Sequence, residues 1–129
     1  MLRYTPLPMD LDLETSTRDG HAVLALRGEI DVYTAPLLRQ AILDLIEQGK
    51  LNVVIDMHEV DFLDSTGLGV LVEGLKRVKT REGSFAIVAT EDKILKIFDI
   101  TGLNKAFPIH GSVEEALGRA PAAAESPEG

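Results

Sequence analysis

Residues 53–78 read VVIDMHEVDFLDSTGLGVLVEGLKRV, and two periodicities meet inside them. Val53-Val54-Ile55 is a short continuous apolar run, the mark of a central strand buried on both faces. Leu68, Leu71, Val72, Leu75 and Val78 then fall on one side of a helix, with Glu73, Lys76, Arg77 and Arg81 on the other. A doubly buried strand followed by an amphipathic helix is the repeating unit of an α/β layer. The residues between them, Met57–Asp64, are expected to form a loop.

Upstream, Leu11 and Leu13 alternate with Asp10, Asp12 and Glu14, the period of a half-buried strand. Ala22–Leu26 is a second strand, and Asp19-Gly20 between the two is a tight-turn signal, so the chain opens on an antiparallel hairpin. Thr34 is placed to cap a helix, with Pro36 in its first turn and Leu38, Ala41, Ile42, Leu45 and Ile46 as its apolar stripe. Gly49 ends that helix.

Downstream, Phe85–Ala89 reads as a strand. Thr90 is expected to cap a helix carrying Ile94, Ile97 and Phe98, with Gly102 as its stop. Phe107–Ile109 reads as one more extended piece, and Ser112-Val113-Glu114-Glu115 as a capping box opening a last short helix through Leu117. The fold class is therefore α/β, with a mixed sheet of four to five strands and about four helices. Residues 1–9 read as an N-terminal segment, 10–120 as the single domain, and 121–129, built of Ala, Glu, Pro, Ser and Gly, as a disordered tail.

Composition narrows the function. Acids outnumber bases 21 to 13 in 129 residues, a formal charge of -8, which disfavours nucleic acid and anionic membrane as partners. The absence of cysteine removes disulfides, thiolate catalysis and Cys-based zinc sites. His21, His58 and His110 lack metal-ligand spacing, and no nucleophile–base pair or phosphate-binding loop is present. No secretory signal or membrane span is legible, so a cytoplasmic protein that is not an enzyme is expected.

The unusual local chemistry lies at Asp64–Gly69. Glycine within a helix costs about 0.8–1 kcal/mol relative to alanine, so Gly67, Gly69 and Gly74 in one helix need a reason. One reason is internal packing, with Asp64 or Ser65 as a plain N-cap. Another is close approach of a second surface to a helix N-terminus whose N–H groups favour an anion, where a serine could carry phosphate without unfolding the helix. Asp31 reads as a polar residue closing the strand-to-helix turn. Asp56, Asp61 and Asp64 are expected to form a solvated acidic face rather than a metal site.

Asp64-Ser65-Thr66-Gly67-Leu68-Gly69 resembles the signature of STAS-domain anti-sigma-factor antagonists, the bacterial partner-switching proteins. Gly28-Glu29-Ile30-Asp31 and Ile97-Phe98-Asp99-Ile100-Thr101-Gly102-Leu103 resemble two further marks of that family. The runs Gly28–Pro36 and Ile94–His110 look most like its actinobacterial BldG-like branch. The resemblance implies that the unphosphorylated protein binds an anti-sigma factor, itself a serine kinase, and so frees a sigma factor. Phosphorylation on Ser65 then ends binding, and a PP2C-type phosphatase resets the switch. ATP and Mg²⁺ belong to the kinase, and the protein itself needs no cofactor. Asp31, Asp64, Ser65, Thr66, Gly67 and Gly69 are implied at the contact surface, with Thr66 as the rival acceptor.

Three other readings compete. A receiver domain with Asp56 as acceptor is disfavoured, because the chain opens on a hairpin and Ala22–Leu26 ends in Arg27-Gly28 rather than in acids. A STAS interaction or ligand-binding module of a sensory complex, with no sigma-factor partner, keeps the fold and changes the task. An enzyme is the least supported. The free protein is expected to be a monomer.

Overall fold

The computed structural model describes residues 11–118. The expected N-terminal segment and C-terminal tail lie outside the described residues. Five strands form one sheet in chain order: β1 (Leu11–Arg18), β2 (His21–Ile30), β3 (Asn52–Leu63), β4 (Ser84–Val88) and β5 (Ile109–His110). β1 and β2 are antiparallel, and every later neighbour is parallel. The hairpin turns on two residues, with Arg18 opposite His21 and both Asp19 (φ 52°) and Gly20 (φ 80°) left-handed. Asp-Gly suits that turn because its twist matches the strands only when both central residues take positive φ.

Helices α1 (Ala35–Glu47), α2 (Ser65–Lys79) and α3 (Asp92–Thr101) cover one face of the sheet. The main core lies beneath them. Leu38, Ile42 and Ile46 of α1 and Leu68, Leu71, Leu75 and Val78 of α2 meet Leu24, Ile55, Met57 and Ile87 of the strands. Under α3, Phe107 packs edge-on against Phe98 and tilted against Phe85, with both centroid separations 5.8 Å. A smaller cluster of Val23, Val54 and Val88 occupies the other face, where Leu117 and the short α4 (Val113–Ala116) cover it.

Met57–Leu63 is not the expected loop. It continues β3, with Arg27 opposite Glu59, Gly28 opposite Val60 and Ile30 opposite Leu63. The register against β2 shifts twice, so β3 carries two extra residues along this stretch. Its core-facing residues consequently fall at Ile55, Met57, Val60 and Leu63, a spacing that hides the strand from any period-two reading. β2 is lengthened to match, running past Leu26 through Gly28, whose φ of 122° is open to glycine alone at low strain.

Two caps differ from expectation. Thr34 holds the N-cap position of α1, yet its hydroxyl is turned back to donate to the Glu29 carbonyl at 2.8 Å. Helix α3 starts after Glu91 instead of Thr90 and has no side-chain cap. The Ser112 cap holds, accepting from the Glu115 amide at 3.2 Å, although the Glu115 carboxylate accepts from the Gly111 amide instead of closing the box on Ser112. Among the described residues, no helix is long and apolar enough to cross a membrane.

Candidate functional site

Strands β2 and β3 end side by side, and each feeds a helix there. The Asp64 amide donates to the Ile30 carbonyl at 3.2 Å, so the start of α2 lies against the end of β2. Asp64 is the cap of α2: its Oδ1 accepts from the Thr66 amide at 2.9 Å and from the Gly67 amide at 3.2 Å. That geometry settles the choice between Asp64 and Ser65 as N-cap. Ser65 is the first helical residue, exposed, and its hydroxyl makes no hydrogen bond among the described residues. Thr66 beside it is also exposed.

The glycines of α2 separate by cause. Gly67 is buried, and a Cβ there would stand 2.4 Å from Ile30 Cγ2 and 2.7 Å from Leu63 Cδ1. Gly74 is held in the same way by Phe85 and Ile42. Gly69 is exposed, one turn along from Ser65, and an added Cβ would meet nothing within 4 Å. Internal packing therefore explains Gly67 and Gly74 and leaves Gly69 without a reason inside the molecule.

Asp31 lies at the end of β2 and is 6% exposed. Its Oδ1 accepts from the Tyr33 amide at 2.9 Å and the Thr34 amide at 3.0 Å, and its own amide donates to Thr34 Oγ1 at 2.9 Å. It thus closes the strand-to-helix turn. Its Oδ2 is buried without a partner among the described residues. Of the six residues implied at the contact surface, Asp64, Ser65, Thr66 and Gly69 are presented to solvent at this end of the sheet, and Asp31 and Gly67 lie beneath it.

Sequence reasoning passed over Val32 (56% exposed), Tyr33 (83%) and Leu37 (52%), which follow directly on Asp31. The signal was available: Leu37 stands off the α1 stripe, and Val32 and Tyr33 are large apolar residues in a turn.

The acidic trio does not converge, and among the described residues no His, Asp and Glu group could hold a metal ion. Asp56 is not solvated as expected: it is 8% exposed on central β3. It accepts from the His58 ring at 2.8 Å and from the His58 amide at 3.2 Å. That bond to Asp56 holds the His58 pKa above its ordinary 6.5, against the opposing effect of burial. A raised pKa adds stability in full below about pH 6.5, and this is lost as pH rises through the folded value. An NMR titration of His58 should show a midpoint above 6.5; a midpoint at or below it would show that the pair does not form in solution.

The family model described as STAS domain matches residues 12–116. An anti-sigma-B factor antagonist of Bacillus subtilis is 36% identical over 106 residues, 82% of this chain and 96% of that protein. A namesake from Staphylococcus aureus is 32% identical over the same length, 82% of this chain and 98% of its own. Among solved structures, an anti-sigma factor antagonist from Mycobacterium paratuberculosis superposes with a TM-score of 0.82 at 32% identity, covering 88% of this chain and 97% of that one. The phosphorylated form of the Bacillus cell fate determinant SpoIIAA superposes with a TM-score of 0.64 at 25% identity, covering 84% and 96%.

Proposed function

The chain belongs to the STAS-domain family, and from that membership we propose that it is an anti-sigma-factor antagonist switched by phosphorylation on Ser65. It is a regulatory binding protein and not an enzyme. In the proposed cycle the unphosphorylated form binds an anti-sigma factor that is also a serine kinase, and the sigma factor held by that kinase is released. The kinase, carrying ATP and Mg²⁺, then phosphorylates Ser65 and the complex dissociates. A PP2C-type phosphatase restores the hydroxyl. The cycle runs in the cytoplasm, and the free protein is a monomer.

The observation that carries this reading is the position of Ser65. Asp64 already caps α2, so the Ser65 hydroxyl does no structural work and is free to enter a kinase site. A phosphate there gains from the N-terminal field of α2 and removes no contact of the fold. The acceptor is a serine that can change charge while the domain stays intact. Asp64, Thr66 and Gly69 form the docking face around it, and Asp31 and Gly67 hold that face in shape from below.

Ser65→Ala is expected to keep the thermal midpoint, bind the anti-sigma factor at least as well as wild type, and never acquire phosphate. Intact mass after incubation with each anti-sigma factor kinase of the source genome and ATP reads the last point. Phosphate that persists on the variant would move the acceptor to Thr66 or elsewhere. A variant that no longer binds the kinase wild type binds would remove the proposed cycle altogether.

A further inference from the structure

Val32, Tyr33 and Leu37 are three large apolar side chains left more than half exposed, and all three lie between Asp31 and the first turns of α1. The cost of leaving them so is clear, since apolar surface gains about 25 cal/mol per Å² on leaving water. The fold could have used other residues: α1 needs apolar side chains only at Ala35, Leu38, Ile42, Leu45 and Ile46. Val32 and Tyr33 lie in the turn that leads into α1, and Leu37 lies in the first turn of that helix. Ile30, two residues before Val32, is the side chain that the first turn of α2 rests on at Gly67. The apolar residues therefore adjoin the Ser65 end of α2.

We infer that Val32, Tyr33 and Leu37 form a binding anchor for the anti-sigma factor kinase, separate from the phosphoacceptor and continuous with the Ser65 surface. This rests on the proposed cycle. A kinase that takes Ser65 into its active site must cover the ground beside α2, which takes in this apolar ridge and Phe62, 45% exposed near the end of β3. Charge identifies the partner surface further. Of the acids in residues 28–38 and 59–75, Glu59 is paired with Arg27, Glu73 with Arg39 and Arg77, and Asp31 is buried, which leaves Glu29, Asp61 and Asp64 beside the ridge. The matching surface is an apolar pocket with a Lys- or Arg-bearing rim. Large aromatic side chains in such pockets dominate binding energy, and Tyr33, the most exposed of the three, is the expected centre.

An anchor away from the reacting hydroxyl supplies affinity and leaves the transfer step alone. The probe is the kinase found to modify Ser65, purified and loaded with ADP for binding and with ATP for transfer. Tyr33→Ala is expected to weaken binding roughly thirtyfold and Leu37→Ala about tenfold. The single-turnover rate of Ser65 phosphorylation at saturating kinase should stay within about twofold of wild type, and so should the thermal midpoint within error. Ile100→Ala, equally exposed but at the far end of α3, is the control and should bind as wild type does. Both ridge variants binding within about twofold of wild type would overturn the anchor while leaving the Ser65 cycle standing. No binding or phosphorylation of wild type by any anti-sigma factor kinase would overturn both.

Discussion

Ser65→Asp should bind the anti-sigma factor at least about tenfold more weakly than wild type, with no change in thermal midpoint. The asymmetry follows from where the charge enters. Within the fold, the first turn of α2 tolerates an anion, because its N–H groups and axial field favour one. At the interface the same anion adds charge and bulk where the partner must pack directly on Ser65, beside Asp61 and Asp64, and it has to be stripped of water for the complex to close. Phosphate, with about twice the charge of aspartate, should weaken binding further. Calorimetric titration of wild type, Ser65→Asp and the phosphorylated protein reads this ordering. Equal dissociation constants for wild type and Ser65→Asp would place Ser65 outside the interface.

Gly67→Ala and Gly69→Ala should shift stability in opposite directions. A Cβ at Gly67 would overlap Ile30, whose side chain is fully buried, and overpacking of this kind costs about 1–3 kcal/mol. At Gly69 the Cβ enters open space, and replacing a helical glycine gains up to about 1 kcal/mol. Denaturant unfolding of the two variants checks the signs. The second variant should nevertheless lose affinity for the kinase, since a methyl group then stands on the surface beside Ser65. A Gly69→Ala protein that is both more stable and equally good at binding would leave the glycine unexplained by docking.

Much of this could be read from the chain before its fold was in view. The hairpin, the order of elements, the α1 and α2 stripes and the Ser65 motif all depend on local chemistry, namely turn residues, helical spacing and a cap. What stayed hidden depends on partners distant in sequence. The second half of β3 was invisible because two register shifts against β2 move its core residues off period two. Thr34 gives α1 no side-chain cap, because its hydroxyl donates to the Glu29 carbonyl instead. The glycines of α2 looked alike in sequence; only Ile30, Leu63 and Phe85 coming up beneath the helix tell Gly67 and Gly74 from Gly69. The apolar ridge, by contrast, was legible, as two large apolar residues in a turn and a leucine off the α1 stripe.

The sheet's order, β1 to β5 without interruption, also bears on how the molecule is made. A chain growing from its N-terminus adds each strand to an edge already in place, and no strand must wait for one synthesised later. At every stage the nascent sheet has one advancing edge exposed to unwanted pairing. The last strand to arrive, β5, is two residues long and is followed at once by α4, so the advancing edge ends on almost no free backbone. Synthesis thus closes the advancing edge against further growth in the same step that completes it.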